Sequence, residues 1–209
     1  MCFCSSGKTG LALLAVVAIA GAATIGGYLA SGSVSADKLE TPEIGTKLPD
    51  FTMTDVNGES HTLSDYQGKI VVLNFSSQHC PFSRRVDPEL TEIAEEYAEE
   101  DVVILSIDAN DATTPDDIRA YAEEHELSVP ILNDEGHAYA DKLGATRTPE
   151  VYIVDTEGTL VYHGAFDDSK RPDSEKGETN YIRKTVDALL AGEAVEPTET
   201  KAFGCNIQR

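Results

Sequence analysis

Basic residues are scarce in this chain, and so are the motifs that mark several common functions. Of 209 residues, 16 are Lys or Arg and 37 are Asp or Glu, which gives a formal net charge of −21. This surplus of negative charge repels phosphate backbones and anionic lipids, so we expect no binding to nucleic acid. A well-solvated acidic surface or adaptation to a salty medium accounts for the charge. Tryptophan is absent and no nucleotide, flavin or haem motif occurs, so we expect no cofactor and no resident metal.

Long apolar runs are also missing, with one exception near the amino terminus. Residues 11–20 (LALLAVVAIA) are all apolar, and a weakly apolar stretch continues to Ala30 before the small residues that end at Ala36. The pattern predicts that residues 1–36 are either a cleaved signal peptide or an uncleaved membrane anchor. Both alternatives place the rest of the chain outside the cytoplasm, in the periplasm or on the outer face of the inner membrane.

Cysteines are few and far apart. Cys2 and Cys4 precede the apolar run, so the exported part keeps only Cys80 and Cys205, which are 125 residues apart. This spacing excludes a CxxC pair and a local zinc knuckle. In an oxidising compartment, two isolated cysteines are candidates for a disulfide.

The remaining residues predict one α/β domain. A polar linker (37–48) leads into the domain (49–192), and an irregular tail (193–209) follows it. Strands alternate with helices, which indicates a central mixed β-sheet flanked by helices. The first two strands are joined through Asn57-Gly58, a strong signal for an N-terminal β-hairpin. The predicted strands are 51–55, 60–63, 70–76, 102–108, 129–132, 150–154 and 159–163, and the predicted helices are 81–100, 115–124, 137–144 and 178–191.

Cys80 lies between a buried strand and a helix that begins at Pro81. A thiol in this position faces unpaired backbone N–H groups and the positive end of the helix dipole, and both stabilise the thiolate. We therefore predict a nucleophilic Cys80 that solvent can reach. Arg84 and Arg85, about one turn further along, add positive potential. The alternative is that Cys80 is a small buried hydrophobic residue.

Thr148-Pro149 immediately precedes a predicted strand. A proline here cannot donate to the strand ladder, and its peptide bond can be cis. Beside a reactive cysteine, such a bend leaves the backbone of Thr148 free to pair with an extended substrate. Taken alone, the dipeptide indicates only a turn.

Several segments in order carry a family resemblance: IGTKLPDF (44–51), LSDYQGKIVVLNF (63–75), HCPFS (79–83) and TPEVYIVDTEG (148–158). They resemble the thioredoxin-like redoxins of the alkyl hydroperoxide reductase/thiol-specific antioxidant (AhpC/TSA) group. The tail TETKAFGCNIQR (198–209) also resembles that of an exported bacterial subgroup with a carboxy-terminal GC-x-I-x motif. The resemblance implies a thioredoxin-like fold, thiol-based redox chemistry at Cys80 and a cis Pro149.

Two departures from the family pattern bear on the chemistry. Thioredoxins have WCxxC, whereas here His79 replaces the tryptophan and Ser83 replaces the second cysteine. Cys80 therefore cannot close the usual local disulfide. Typical peroxiredoxins have Pro and Thr seven and three residues before their reactive cysteine, whereas Leu73 and Ser77 stand here.

The site is predicted from these residues. Cys80 is the nucleophile, Ser77 and Ser83 supply hydroxyls near its sulfur, and Pro149 shapes the groove. Cys205 resolves an oxidised Cys80, forms a permanent disulfide with it, or remains a free terminal thiol. The residues expected to contact the substrate are Thr148, His79 and Arg84.

Four functions stay open on this basis. The first is thiol–disulfide exchange with thiol or disulfide proteins, reset by an external thiol reductant, and the second is a thiol peroxidase. The third is a copper carrier of the Sco type that uses His79, Cys80, Cys205 and His163. The fourth is a binding module without turnover.

Other polar residues receive weaker interpretations. Asp167 and Asp168 form either a cation site or a solvated turn. The remaining histidines are expected on the polar surface without partners, namely His61, His125 and His137.

Overall fold

The β-branched runs of the sequence become the central strands of a mixed sheet. The computed structural model describes residues 41–173 and 176–209, so the predicted targeting segment lies outside the described residues. The strands are β1 (Thr52–Thr54), β2 (Ser60–Thr62), β3 (Ile70–Ser76), β4 (Val102–Asp108), β5 (Ile131–Asn133), β6 (Arg147–Thr148), β7 (Glu150–Val154), β8 (Leu160–Gly164) and β9 (Cys205–Asn206). The α-helices are α1 (Pro81–Glu96), α2 (Pro115–Glu124), α3 (Ala138–Leu143) and α4 (Tyr181–Leu190).

The main sheet has the order β5-β4-β3-β7-β8. Strand β3 pairs in parallel with β4 and antiparallel with β7, so it occupies the middle of the sheet. Every residue of β3 is buried, as its mainly apolar and β-branched composition predicts for a strand covered on both faces. The predicted mixed sheet is confirmed.

Apolar layers cover both faces of this sheet. One layer includes Leu73, Phe75 and Tyr152, and the other is built around Val72 and Ile93. Because side chains alternate between the faces of a strand, the single run of β3 supplies both layers. Burying each large side chain stabilises the fold by about 1.5–3 kcal/mol.

Strands β1 and β2 form a separate antiparallel hairpin, in which Thr52 pairs with Thr62. The Asp55 carboxylate accepts the backbone N–H groups of Asn57 and Glu59 across its turn. Gly58 follows with a φ of +89°, a conformation that glycine adopts without strain. Among the described residues, no helix is long and apolar enough to cross a membrane.

The structure differs from the sequence-based prediction mainly at the carboxy terminus. Helix α1 ends at Glu96 rather than at residue 100, and α4 spans ten residues rather than the predicted 178–191. The tail was predicted to be irregular, but its β9 pairs antiparallel with β6, with Thr148 opposite Cys205. A two-residue strand has no periodicity to detect, because its partner supplies the pattern.

Several polar residues predicted to be solvated are buried and bonded. His61 is 8% exposed and its Nδ1 lies 2.6 Å from the Tyr66 hydroxyl. His137 Nδ1 lies 2.6 Å from the carbonyl oxygen of Ala109. The prediction that these two histidines lie on the polar surface was wrong: His61 bonds Tyr66 five residues further along, and His137 bonds Ala109 from 28 residues away.

Candidate active site

The segment from Ser77 to Ser83 forms a compact turn at the amino terminus of α1. Cys80 is the residue before the first helical residue, with φ −87° and ψ 117°, and its N–H donates to the Ser77 carbonyl at 2.9 Å. The Ser83 hydroxyl accepts the Ser77 N–H at 3.2 Å, and the Ser77 hydroxyl accepts the His79 N–H at 3.3 Å. The two hydroxyls, predicted to lie near the sulfur, therefore form hydrogen bonds that hold the turn in place.

The sulfur of Cys80 is surrounded by groups from three segments of the chain. Its thiol donates to the Thr148 carbonyl oxygen at 2.9 Å. The backbone of Ser83 and both the side chain and the backbone of Cys205 lie close enough to the sulfur to lower its pKa. The helix start and the carboxy-terminal tail thus meet at one atom.

The loop opposite Cys80 is held by a residue that the sequence analysis did not single out. The Thr148–Pro149 peptide bond is cis, as the family resemblance implies. The Glu150 carboxylate, which is buried, accepts the N–H groups of Thr146 and Arg147 at 2.8 Å each. Its other oxygen lies 2.8 Å from His163 Nε2. Glu150 could have been found from the sequence, because a charged residue at the start of a buried strand needs bonding partners.

The tail is fixed along the edge of β6. The carbonyl of Gly204 accepts a hydrogen bond from Arg147 at 3.3 Å, and the N–H of Ile207 donates to the Thr146 carbonyl at 3.1 Å. Ile207 is 5% exposed and belongs to the apolar layer that contains Leu143. The tail is therefore part of the folded domain at this point.

Cys80 is only 1% exposed, which corrects the prediction that solvent reaches it. A thiol at an isolated helix start would be exposed to solvent. In the structure, Cys205 and Thr148 lie against the sulfur. Cys205 itself is partly exposed.

The two thiols have opposite pKa shifts. Burial raises the pKa of Cys80, but interactions with the Cys205 side chain, the Ser83 backbone and the Thr148 side chain outweigh it and hold the pKa below its ordinary value. Burial also raises the pKa of Cys205, and the hydrogen bond to Cys80 and the charge of its thiolate raise it further. Cys80 is therefore the thiol that ionises first, and Cys205 keeps its proton.

The predicted cationic neighbours lie elsewhere. Arg85 forms a two-pronged ion pair with the buried Asp167, at 2.7 and 2.8 Å. Asp167 thus holds an arginine, and the predicted alternatives of a cation site or a solvated turn were wrong for it. Burial raises the pKa of Asp87 and of Tyr121, and the positive charge of Arg84 partly offsets that rise. The exposed His79 lies near Asp108 and Asp117.

The four residues proposed as copper ligands do not form a cluster in the described part of the chain. His163 is paired with Glu150. The atoms that come together there as possible metal ligands belong to Asp55, Glu59 and His61, within 4.8 Å of one another in the β1–β2 hairpin. The copper-carrier interpretation therefore loses its geometric basis.

A cysteine at the start of the helix that follows the central strand, opposite a cis-proline at the start of an antiparallel strand, defines the thioredoxin-like class of redox proteins. The sequence profile of the AhpC/TSA family matches residues 44–163, more than half of the chain. The chain belongs to the AhpC/TSA family, as the sequence resemblance predicts.

Relatives of known class agree with this assignment. The chain is 28% identical over 124 residues to the thiol-disulfide oxidoreductase ResA of Bacillus thuringiensis, covering 59% of this chain and 70% of that protein. ResA of Halalkalibacterium halodurans is 29% identical over 151 residues, covering 72% and 81%. The chain is therefore an oxidoreductase of the thiol–disulfide redox class.

Two solved structures are similar over most of the domain. A hypothetical protein from Sinorhizobium meliloti superposes with a TM-score of 0.74 and 32% identity, covering 80% of this chain and 95% of that chain. An uncharacterized conserved protein from Geobacillus kaustophilus gives the same TM-score with 34% identity, covering 80% and 92%. These matches support the thioredoxin-like fold.

Proposed function

We propose that this protein carries out thiol–disulfide exchange outside the cytoplasm, with Cys80 as nucleophile and Cys205 as resolving cysteine. The observation that carries the proposal is that both cysteines meet at Thr148: the Cys80 thiol donates to the Thr148 carbonyl oxygen at 2.9 Å, and Cys205 lies directly opposite Thr148 in the β6–β9 pair. A serine replaces the local second cysteine, and the paired tail supplies a thiol in its stead.

The reaction balances without a cofactor. The Cys80 thiolate attacks one sulfur of a partner disulfide, forming a mixed disulfide and releasing the other partner sulfur as a thiolate. Cys205, after losing its proton, attacks the Cys80 sulfur, forms the Cys80–Cys205 disulfide and releases the second partner thiolate. The partner gains two electrons and the protein loses them, and an external thiol reductant restores the dithiol form.

The pKa shifts fit this order of events. A thiolate at Cys80 raises the pKa of Cys205 through its charge and its hydrogen bond. Both effects vanish once Cys80 is in a mixed disulfide, because that sulfur no longer carries charge. Burial, the largest cause of the raised pKa of Cys205, remains, and the pKa falls from its value beside the Cys80 thiolate.

The location and the domain boundaries are part of the proposal. The apolar run at residues 11–20 supports export or anchoring through residues 1–36, followed by the linker (37–48) and the redox domain (49–192). The partners are then disulfide-bearing proteins and an external thiol reductant outside the cytoplasm, with membrane attachment if the segment is not cleaved.

The test uses the reduced full chain and oxidised glutathione as the disulfide. We expect a peptide map that contains the Cys80–Cys205 cross-link, with the loss of two hydrogens from that pair of peptides. Hydrogen peroxide is tested in parallel, and a cross-link formed at comparable rates by peroxide alone would favour the peroxidase alternative. A chain that stays fully reduced with both oxidants would refute the proposed function.

Cys80→Ser and Cys205→Ser are the matched variants. The first is expected to form no mixed disulfide at the site, and the second is expected to accumulate glutathione on Cys80. Glutathione found on Cys205 in the first variant at the wild-type rate would reverse the two roles.

A further inference from the structure

We propose that the edge of β6 beside Cys80 is a binding site for an extended protein segment with the pattern small residue–Cys–any residue–aliphatic, and that the tail is its built-in competitor. This proposal rests on the proposed function and names the substrate class of that same site. Gly204-Cys205-Asn206-Ile207 is the example of the pattern that the chain itself provides.

Access to the sulfur defines the location of the site. Cys80 is 1% exposed, and two of the groups that bond its sulfur belong to Thr148 and Cys205. Thr148 lies in the folded loop, so an incoming partner cannot displace it. Cys205 lies on a strand that is paired over two residues only, so a partner can displace it. A partner cysteine therefore reaches Cys80 by taking the place of Cys205.

Backbone pairing fixes the direction and the register of the partner segment. Thr148 lies opposite Cys205 and Arg147 opposite Asn206, antiparallel, while the Thr146 carbonyl accepts the N–H of Ile207. A displaced tail leaves these backbone groups and the Arg147 guanidinium without their tail partners. A partner strand that restores the bonds avoids the free-energy cost of unsatisfied backbone groups.

The residue before the partner cysteine must be small. A Cβ added to Gly204 would lie 2.0 Å from the Thr148 carbonyl oxygen and 3.1 Å from the Pro149 nitrogen. Both atoms belong to the backbone of the loop that Glu150 holds in place. Alanine is already crowded here, and a branched side chain cannot be accommodated without moving the strand away from Cys80.

The residue two positions after the cysteine must be aliphatic. Ile207 is 5% exposed and packs in the apolar layer with Ala109, Leu143 and Ala145. A charged side chain at this position would be buried without a partner, which costs far more than the loss of apolar contact alone. Gln208, next along the tail, is exposed, so that position imposes no such requirement.

The test measures the attack of Cys80 on short peptides. The protein is the full-length Cys205→Ser variant, and the peptides carry the sequence of residues 201–209 with the cysteine joined to 2-nitro-5-thiobenzoate. The Cys80 thiolate forms a disulfide with the peptide and releases the coloured thiolate, which is followed by absorbance. A variant lacking both Cys80 and Cys205 gives the background from Cys2 and Cys4, and dithiobis-nitrobenzoate is the small disulfide without strand structure.

We expect Gly204→Val and Ile207→Asp within the peptide to slow the release roughly tenfold or more, and Gln208→Ala to leave it almost unchanged. Adding Gly204→Ala to the protein should accelerate attack on the native peptide, because its tail no longer competes.

If the small disulfide reacts at Cys80 but all peptides react at equal rates, the binding site is refuted and the proposed function stands. If the Gly204→Ala protein shows no gain, the tail is not a competitor. A Cys80 that fails to react even with the small disulfide refutes both proposals.

Discussion

Two regions meet at the Cys80 sulfur, and they differ in their distance along the chain. The helix-start turn, Ser77–Ser83, surrounds Cys80 in the sequence and supplies the Ser83 N–H. The tail strand, Gly204–Ile207, comes from 125 residues away and supplies a second thiol. The position of the nucleophile is therefore determined by residues close to it in sequence. Access to Cys80, and the second thiol that would close a disulfide with it, depend on the tail.

The sharpest test of this division replaces each cysteine separately. Cys80→Ser is expected to abolish disulfide exchange, because the nucleophile is lost. Cys205→Ser is expected to retain the first attack and lose repeated turnover, with the mixed disulfide accumulating in stoichiometric amount. Turnover by both variants at the wild-type rate would contradict the assigned roles, and quenched-flow mass spectrometry measures both steps.

A smaller effect is expected from loosening the tail while both thiols remain. Gly204→Ala places a Cβ against the Thr148 carbonyl oxygen, so the tail strand separates more often. If docking is weakened by about 1.4 kcal/mol, alkylation of Cys80 by iodoacetamide accelerates roughly tenfold. Glu193→Ala, on an exposed residue before the tail strand, is the matched control and should leave the rate unchanged.

Helix α1, which begins at the helix-start turn, also contains a buried carboxyl whose ionisation lowers the stability of the fold. Burial raises the pKa of Asp87, in α1, to about 6, despite hydrogen bonds from Tyr121 and Ser76. A folded-state pKa above the ordinary 3.8 means that stability present at low pH is lost as the pH rises through about 6. The loss reaches up to about 3 kcal/mol.

Asp87→Asn removes this ionisation and should flatten the pH dependence of stability. The variant is expected to gain on the wild type between about pH 4 and about pH 7, as measured by urea unfolding. Unfolding curves that keep the same difference at both pH values would show that Asp87 does not titrate in this range.

The smallest expected effect is a shift in the pH profile of alkylation. The pKa of Cys80 lies below its ordinary value, so its alkylation rate should reach half its maximum at a lower pH than that of free cysteine. In the Cys205→Ala variant the profile should move toward higher pH, because alanine has no group that can stabilise the Cys80 thiolate in place of the Cys205 thiol. An unchanged midpoint would mean that the helix-start turn alone sets the pKa.

The parts of the fold that could be predicted are those whose signal is local. The bounds of β3 and β4 were predicted to the residue from their mainly apolar runs. The bounds of α2 were predicted from Thr114 and Pro115, and the structure contains a capping box between Thr114 and Asp117. The buried Asp167–Arg85 pair and the bonded His61 could not be predicted. Asp167 and Arg85 are 82 residues apart, and such pairing across a fold leaves no spacing in the sequence. His61 and Tyr66 are five residues apart, a separation that by itself predicts no contact.

The sequence by itself determined that one cysteine stands where a buried strand ends and a helix begins, because strand, proline and helix signals all lie within about a dozen residues. It also determined the mixed sheet, because strands alternate with helices along the chain and end in an antiparallel pair. Only the tertiary structure decided that Cys205 lies against Cys80 and that the tail covers it. The physical reason is that a two-residue strand gains its stability from the edge of β6 and the pocket around Ile207, and both exist only after folding.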